Sequence, residues 1–270
     1  MMFDYFLHGM LGRPYRLHAE RSGDKTKPSI VLLHGIAASG DDWRKVLTYL
    51  ESNYHCTTID LLGFGKSPKP QWLGYTMEDH MRSLYHTMNK LHLRGQFLLI
   101  GHSLGSFLAA RYATQHETNI NRLLLLSPPV YPPLTQIKSK SARKLTGLLL
   151  NMYKFLRDDP RINPESFKRL SYIAPLPKSV IRNPDTWLPF MRTLKECIEK
   201  QTVLKDVQQL TIPVDVCYGT LDQVVVSSNV ALLANNNNVR LHSFLNTHDL
   251  TTRYGKLVAK VLTQTIEPNT

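Results

Sequence analysis

Phe97-Leu98-Leu99-Ile100-Gly101-His102-Ser103-Leu104-Gly105 decides how this chain is read. Four apolar residues in a row suit a strand buried on both faces. A glycine-framed serine follows, and Ser106-Phe107-Leu108-Ala109-Ala110-Arg111-Tyr112-Ala113 then opens a helix. A serine hydroxyl is a poor nucleophile unless it is held exposed beside a base and next to oxyanion donors. A sharp strand-to-helix turn holds it so, and glycines two residues to either side relieve the crowding of such a turn.

Working outward, further strands and helices alternate around this unit. Residues 30–33 are a short apolar run ending at His34-Gly35, and residues 43–50 read as a helix. Residues 56–60 form another strand, and 123–126 another, stopped by Pro128-Pro129. Between them, residues 77–91 place Met77, Met81, Leu84, Met88 and Leu91 on one helical face. Residues 2–12 and 15–19 alternate enough to predict an antiparallel hairpin. Strands alternating with helices predict an α/β fold, with a mostly parallel sheet covered on both faces. The alternation breaks over residues 131–203, which are Pro-punctuated, basic and helical in pattern. It resumes with strands at 214–218 and 239–244 and a helix over 251–265. The expected organisation is one core domain, residues 1–130 and 204–270, carrying a helical lid inserted at 131–203.

A chain of 270 residues buries a full core as one domain plus an insertion. The first residues lack a basic region followed by an apolar core, so no signal peptide is expected. No run of about 18 apolar residues occurs, so no stable membrane insertion is expected. Cys56, Cys197 and Cys217 are scattered without metal-ligand spacing, which predicts reduced thiols and a cytoplasmic location. The net charge of +12 is uneven: residues 131–205 hold 15 Lys and Arg against 6 Asp and Glu. That excess reads as a solvated surface, or as attraction for anionic substrates or an anionic membrane surface. No nucleic-acid-binding module is recognisable, so no nucleic acid partner is expected. Oligomeric state leaves no signature in the sequence.

A serine nucleophile needs a base, the base needs an orienting acid, and the oxyanion needs donors. In open parallel sheets these collect at the carboxyl ends of strands. Asp222 lies just past the strand at 214–218, and its rival Asp60 sits in a glycine-rich turn where capping amides suits it better. His248 lies between the last strand and the last helix and completes the order Ser, Asp, His. His102 abuts the serine but should point elsewhere, because successive residues leaving a strand face opposite ways. His34 is expected to support its loop through hydrogen bonds. The Leu104 amide, at the helix start, is one expected oxyanion donor; the second is the amide of Ile36, with Ala37 as the competing choice.

Leu33-His34-Gly35-Ile36, Asp60-x-x-Gly63-x-Gly65-x-Ser67, Gly101-His102-Ser103-Leu104-Gly105, Gly219-x-x-Asp222 and His248 together resemble the ordered landmarks of the α/β-hydrolase superfamily. The resemblance spans nearly all of the chain outside 131–203. It implies Ser103 as nucleophile, His248 as general base and acid, Asp222 as its orienter, and the Ile36 and Leu104 amides as oxyanion hole. A serine at the turn sets the chain apart from the aspartate-based dehalogenases and epoxide hydrolases of the superfamily. The short His-Gly loop and helical insertion resemble small lidded carboxylesterases and carbon–carbon bond hydrolases.

The expectation is hydrolysis of a small or medium-sized carboxylic ester through an acyl-enzyme, with no metal or organic cofactor. Alternatives with the same triad are a thioesterase and a carbon–carbon bond hydrolase; a non-enzymatic hydrolase-like binding protein is the alternative of another class. In the lid, Leu145, Leu148, Leu149, Met152, Phe155 and Leu156 have helical spacing. They either pack on the sheet domain or roof an apolar acyl site, with His102, Trp187, Val224 and Val225 as candidate substrate contacts. Lys140, Arg143 and Lys144 would favour acidic substrates.

Overall fold

The computed structural model describes residues 2–93, 95–170 and 183–264. Seven strands form one sheet: β1 (Ala19–Ser22), β2 (Ser29–Leu33), β3 (His55–Ile59), β4 (Phe97–His102), β5 (Ile120–Leu126), β6 (Val214–Gly219) and β7 (Val239–Phe244). Their order is β1-β3-β2-β4-β5-β6-β7. Only β1 is antiparallel, pairing Ala19 with Ile59, and every other pair is parallel.

The burial of β2, β4 and β5 explains their continuous apolar runs, because each strand serves two cores. Val31, Leu33 and Leu99 face a core shared with helices α1 (Met77–Lys90) and α2 (Leu104–His116). Ile30, Leu32, Leu98 and Ile100 face the other core, with Trp43 and the C-terminal helix. Helix α1 starts on a capping box, in which Thr76 Oγ1 accepts from the Asp79 amide and Asp79 Oδ2 from the Thr76 amide.

Helices α3 (Lys140–Asp158), α4 (Pro164–Leu170) and α5 (Trp187–Thr193) lie in the chain between β5 and β6. Helix α6 (Val203–Gln208) leads into β6, and α7 (Thr252–Thr263) follows β7. The part of the expected lid at 171–182, and the last residue of the expected final helix, lie outside the described residues.

The expected N-terminal hairpin is not formed. Met2–Asp4 is helical and Tyr5–Met10 continues as a π-helix. Met2, Tyr5, Phe6 and Met10 recur every three to four residues, and that period prevails over the looser alternation. Tyr15 and Leu17 are buried, but strand pairing begins only at Ala19, against β3. The helix expected at 43–50 is shorter: a 3-10 turn at Gly40–Trp43 and an α-helical turn at Arg44–Leu47.

The apolar residues of α3 do not share one face. Leu149 and Leu156 are buried, together with Ala142, Thr146 and Tyr153, whereas Leu145, Leu148 and Phe155 are exposed. Arg143 binds the Ile137 carbonyl with its guanidinium. The segment is tied to the sheet domain at several points. Arg192 donates to the carbonyls of Gln71 and Leu73, His80 Nε2 meets Thr193 Oγ1 at 3.1 Å, and the Tyr131 hydroxyl donates to the Val224 carbonyl at 2.5 Å.

Candidate active site

Ser103 stands between β4 and α2 with φ of +52°, a left-handed conformation that costs a non-glycine residue energy. Its amide donates to the Leu126 carbonyl at 2.9 Å, which pins the turn to the end of β5. The flanking glycines are required by close approach. A Cβ on Gly101 would sit 2.2 Å from the Gly105 carbonyl oxygen, and one on Gly105 would sit 2.2 Å from that of Leu33. Backbone cannot yield to such contacts, so the G-x-S-x-G spacing is a packing necessity here.

Asp222 and His248 meet across the loops that follow β6 and β7. Those loops are joined by backbone bonds from Thr220 to Phe244 at 2.8 Å and from Leu221 to Asn246 at 3.0 Å. His248 Nδ1 lies 2.8 Å from Asp222 Oδ2. Asp222 Oδ2 also accepts from Ser127 Oγ at 2.6 Å, and Oδ1 accepts from the Val224 amide at 3.0 Å. Burial alone would raise this carboxyl, but the bonds from His248, Ser127 and Val224 outweigh it and hold the pKa below its ordinary value. An ionised carboxylate only accepts, so the neutral His248 ring carries its proton on Nδ1 and leaves the Nε2 lone pair free. Ser103 Oγ makes no hydrogen bond to a protein atom among the described residues, so the Ser103–His248 bond is not closed.

The other sequence candidates fall into place around this pair. His102 is buried, and burial presses its pKa down to about 3, so the ring is neutral. Its Nε2–H donates to the His248 carbonyl at 2.9 Å, with the two rings 4.9 Å apart. His102 therefore holds the backbone of His248, a contact that strand geometry alone did not anticipate. His34 is likewise neutral, pressed to about 4 by burial. It accepts from the Leu61 amide at 2.8 Å and donates to the Gly35 carbonyl at 2.7 Å, bracing the loop after β2. Asp60 takes the Gly40 amide at 2.6 Å and the Lys66 amide at 2.7 Å. It is a turn-capping carboxylate without a histidine partner among the described residues.

Neither the Ile36 nor the Leu104 amide is taken by a protein acceptor among the described residues. Ala37 is buried with φ of +56°, so the loop that carries Ile36 is itself strained. Trp187 packs edge-on against Phe167 at 5.3 Å and is half-buried. Val224 is half-buried and Val225 buried. Sequence reasoning missed Ser127 and Tyr254, which meet behind Asp222. The available signal was a serine at the carboxyl end of β5, at the same edge of the sheet as Ser103.

A family model described as the alpha/beta hydrolase fold matches residues 28–161. "Monoacylglycerol lipase abhd6-A" of Xenopus laevis is 26% identical over 239 residues, covering 80% of this chain and 68% of that protein. "Probable lysophospholipase BODYGUARD 1" of Arabidopsis thaliana is 35% identical over 113 residues, covering 40% of this chain. The chain spans only 24% of that plant relative's length. Among solved structures, the enol-lactonase from Burkholderia xenovorans LB400 superposes with a TM-score of 0.67 at 18% identity, covering 91% of this chain and 94% of that one. The family match, the seven-stranded sheet and the Ser103 turn agree on the α/β-hydrolase fold.

Proposed function

We propose that this protein is a serine hydrolase of carboxylic esters, with Ser103, His248 and Asp222 as its catalytic triad. The observation that carries the reading is the 2.8 Å bond between His248 Nδ1 and buried Asp222, which leaves Nε2 as a base at the sheet edge where Ser103 sits on its strained turn. Two relatives, named as a monoacylglycerol lipase and a probable lysophospholipase, support an acyl ester as substrate.

His248 Nε2 accepts the Ser103 proton as Oγ attacks the ester carbonyl carbon. The oxyanion binds the amides of Ile36 and Leu104, each worth about 3 kcal/mol of barrier. His248 then returns the proton to the departing alcohol. Water, deprotonated by His248, releases the acid and restores Ser103. These steps call for no metal or organic cofactor.

We read residues 131–203 as a lid over the acyl site, seated through Tyr131, Arg192 and Thr193 on the core domain of residues 1–130 and 204–270. No helix of the described residues is long and apolar enough to cross a membrane. The three cysteines are buried and free, which supports a reducing compartment such as the cytoplasm.

The test is a panel of p-nitrophenyl esters, monoacylglycerols and acyl thioesters, with a fluorophosphonate probe of Ser103. Ester turnover and labelling, both abolished in Ser103→Ala, are the expected result. Equal turnover by Ser103→Ala would overturn the reading, and preference for thioesters would move the leaving group from alcohol to thiol.

A further inference from the structure

Ser127 stands immediately after β5 with φ of +45° and is fully buried. Glycine reaches this conformation at no steric cost, whereas serine does not. Its amide donates to the Cys217 carbonyl at 2.7 Å, extending the pairing of β5 with β6 by one residue. A glycine would make that same bond, so the serine side chain is not needed for the backbone path. What the side chain adds lies 2.6 Å away in each of two directions, at Asp222 Oδ2 and at the Tyr254 hydroxyl.

Proton counting orients this chain. Asp222 is ionised and accepts only, so the single Ser127 hydroxyl proton points to Oδ2. Ser127 Oγ then has only lone pairs to offer, and the proton between it and Tyr254 belongs to the phenol. The order is Tyr254 O–H to Ser127 Oγ, and Ser127 O–H to Asp222 Oδ2. The same Oδ2 takes the His248 Nδ1 proton. Tyr254 sits six residues beyond His248, at the start of α7, with its ring edge-on to Phe244 at 4.7 Å. The phenol, the hydroxyl and the carboxylate side chain are all buried, so water does not compete for these bonds.

We infer that Ser127 and Tyr254 are positioning residues of the hydrolytic site: a directed pair of hydroxyls that fixes the Asp222 carboxylate in the one rotamer able to orient His248. The inference rests on the triad reading above. Without the pair, Asp222 keeps the Val224 amide on Oδ1 but loses the second restraint on Oδ2, and His248 loses a stationary acceptor. Tyr254 acts through Ser127 and does not reach Asp222 itself. The left-handed Ser127 backbone is then strain retained for the sake of the hydroxyl.

The experiment compares Ser127→Gly, Tyr254→Phe and the double variant with wild type, on a p-nitrophenyl ester, with fluorophosphonate labelling of Ser103 run in parallel. Ser127→Gly is expected to lower kcat about tenfold or more with KM unchanged, the scale of one hydrogen bond to a charged group. Tyr254→Phe lowers kcat less. The double variant is no slower than Ser127→Gly alone, because Tyr254 has nothing to act on once the serine hydroxyl is gone. A merely structural role moves KM along with kcat, and its effects add.

Wild-type kcat in Ser127→Gly, or additive losses in the double variant, would overturn the inference while labelling of Ser103 leaves the triad standing. If wild type neither labels nor loses turnover in Ser103→Ala, the triad reading fails and the inference falls with it.

Discussion

Strands β6 and β7 and the loops that follow them carry two aspartate–histidine pairs of nearly equal length, Asp215 with His242 at 2.7 Å and Asp222 with His248 at 2.8 Å. Both carboxylates are buried. What surrounds them differs. Asp215 lies inside β6 and also binds Arg122 at 2.6 Å and Arg240 at 3.1 Å, so fixed positive charges neutralise it. Asp222 lies in the loop past β6, and its other donors are a hydroxyl and an amide. Among the described residues, no arginine competes with His248 for it. A histidine sharing its carboxylate with two guanidinium groups is one of several donors in a structural cluster. A histidine whose carboxylate binds no guanidinium gains the whole of that carboxylate's stabilisation when it takes up a proton. The contrast teaches that the distance of an Asp–His pair says little about its role, and that the charge of its remaining partners says a great deal.

Mutations should separate the pairs by readout. The largest effect is on rate. His248→Ala or Asp222→Asn is expected to cost on the order of 10⁴-fold in kcat, measured as ester turnover, while His242→Ala leaves kcat within about twofold of wild type. Comparable losses in the two histidine variants would erase the contrast.

Next comes stability. Asp215→Ala strands buried Arg122 without its counter-charge, and denaturant unfolding should show a loss of about 3–5 kcal/mol. The pair also carries a pH signature. Burial would raise the Asp215 carboxyl, but the bonds from His242, Arg122 and Arg240 outweigh it and hold its pKa to about 2. A carboxyl lowered on folding stabilises above its unfolded value, 3.8, and loses that contribution as pH falls through 2. The stability gap between wild type and Asp215→Asn should therefore narrow as acid is added across that window. A gap independent of pH there would show that Asp215 is held by geometry and not by charge.

A smaller effect is expected at His102, which hydrogen-bonds His248 at its carbonyl. His102→Ala should lower kcat about tenfold, and His102→Gln, which keeps a donor, should recover part of it in the same assay. Smallest of all is Leu148→Gln on the outer face of α3, where the side chain is 65% exposed. Thermal unfolding should register a change within about 0.5 kcal/mol. A marked loss of stability there would show that this face is covered in solution.

Much of the candidate site was legible in the residues themselves. G-x-S-x-G between a strand and a helix has a steric cause, the two close approaches at Gly101 and Gly105. Asp222 and His248 are singled out by position, and they meet because loops at the carboxyl edge of a parallel sheet converge. Asp60 and His34, both strand-end residues of the right chemical type, sort themselves only when their partners are seen: amides for Asp60, and an amide and a carbonyl for His34. The N-terminal segment misled, because short alternation and helical spacing overlap in Met2, Tyr5, Phe6 and Met10. Ser127 and Tyr254 were invisible, since they are 127 positions apart and ordinary in type.

The sequence by itself determined the parallel strands of the sheet, the strained serine turn and the chain order of Ser103, Asp222 and His248. These follow from local causes: apolar runs, glycine clearance and turn residues that act within a few positions. The tertiary structure alone decided which carboxylate faces which donor. It set Asp215 among arginines and Asp222 beside a hydroxyl and an amide, turned His102 toward a backbone carbonyl, and split the apolar residues of α3 between inside and outside. The physical reason is that a hydrogen bond or an ion pair is set by where distant segments meet, and strand register and loop convergence fix that meeting only once the whole sheet has formed.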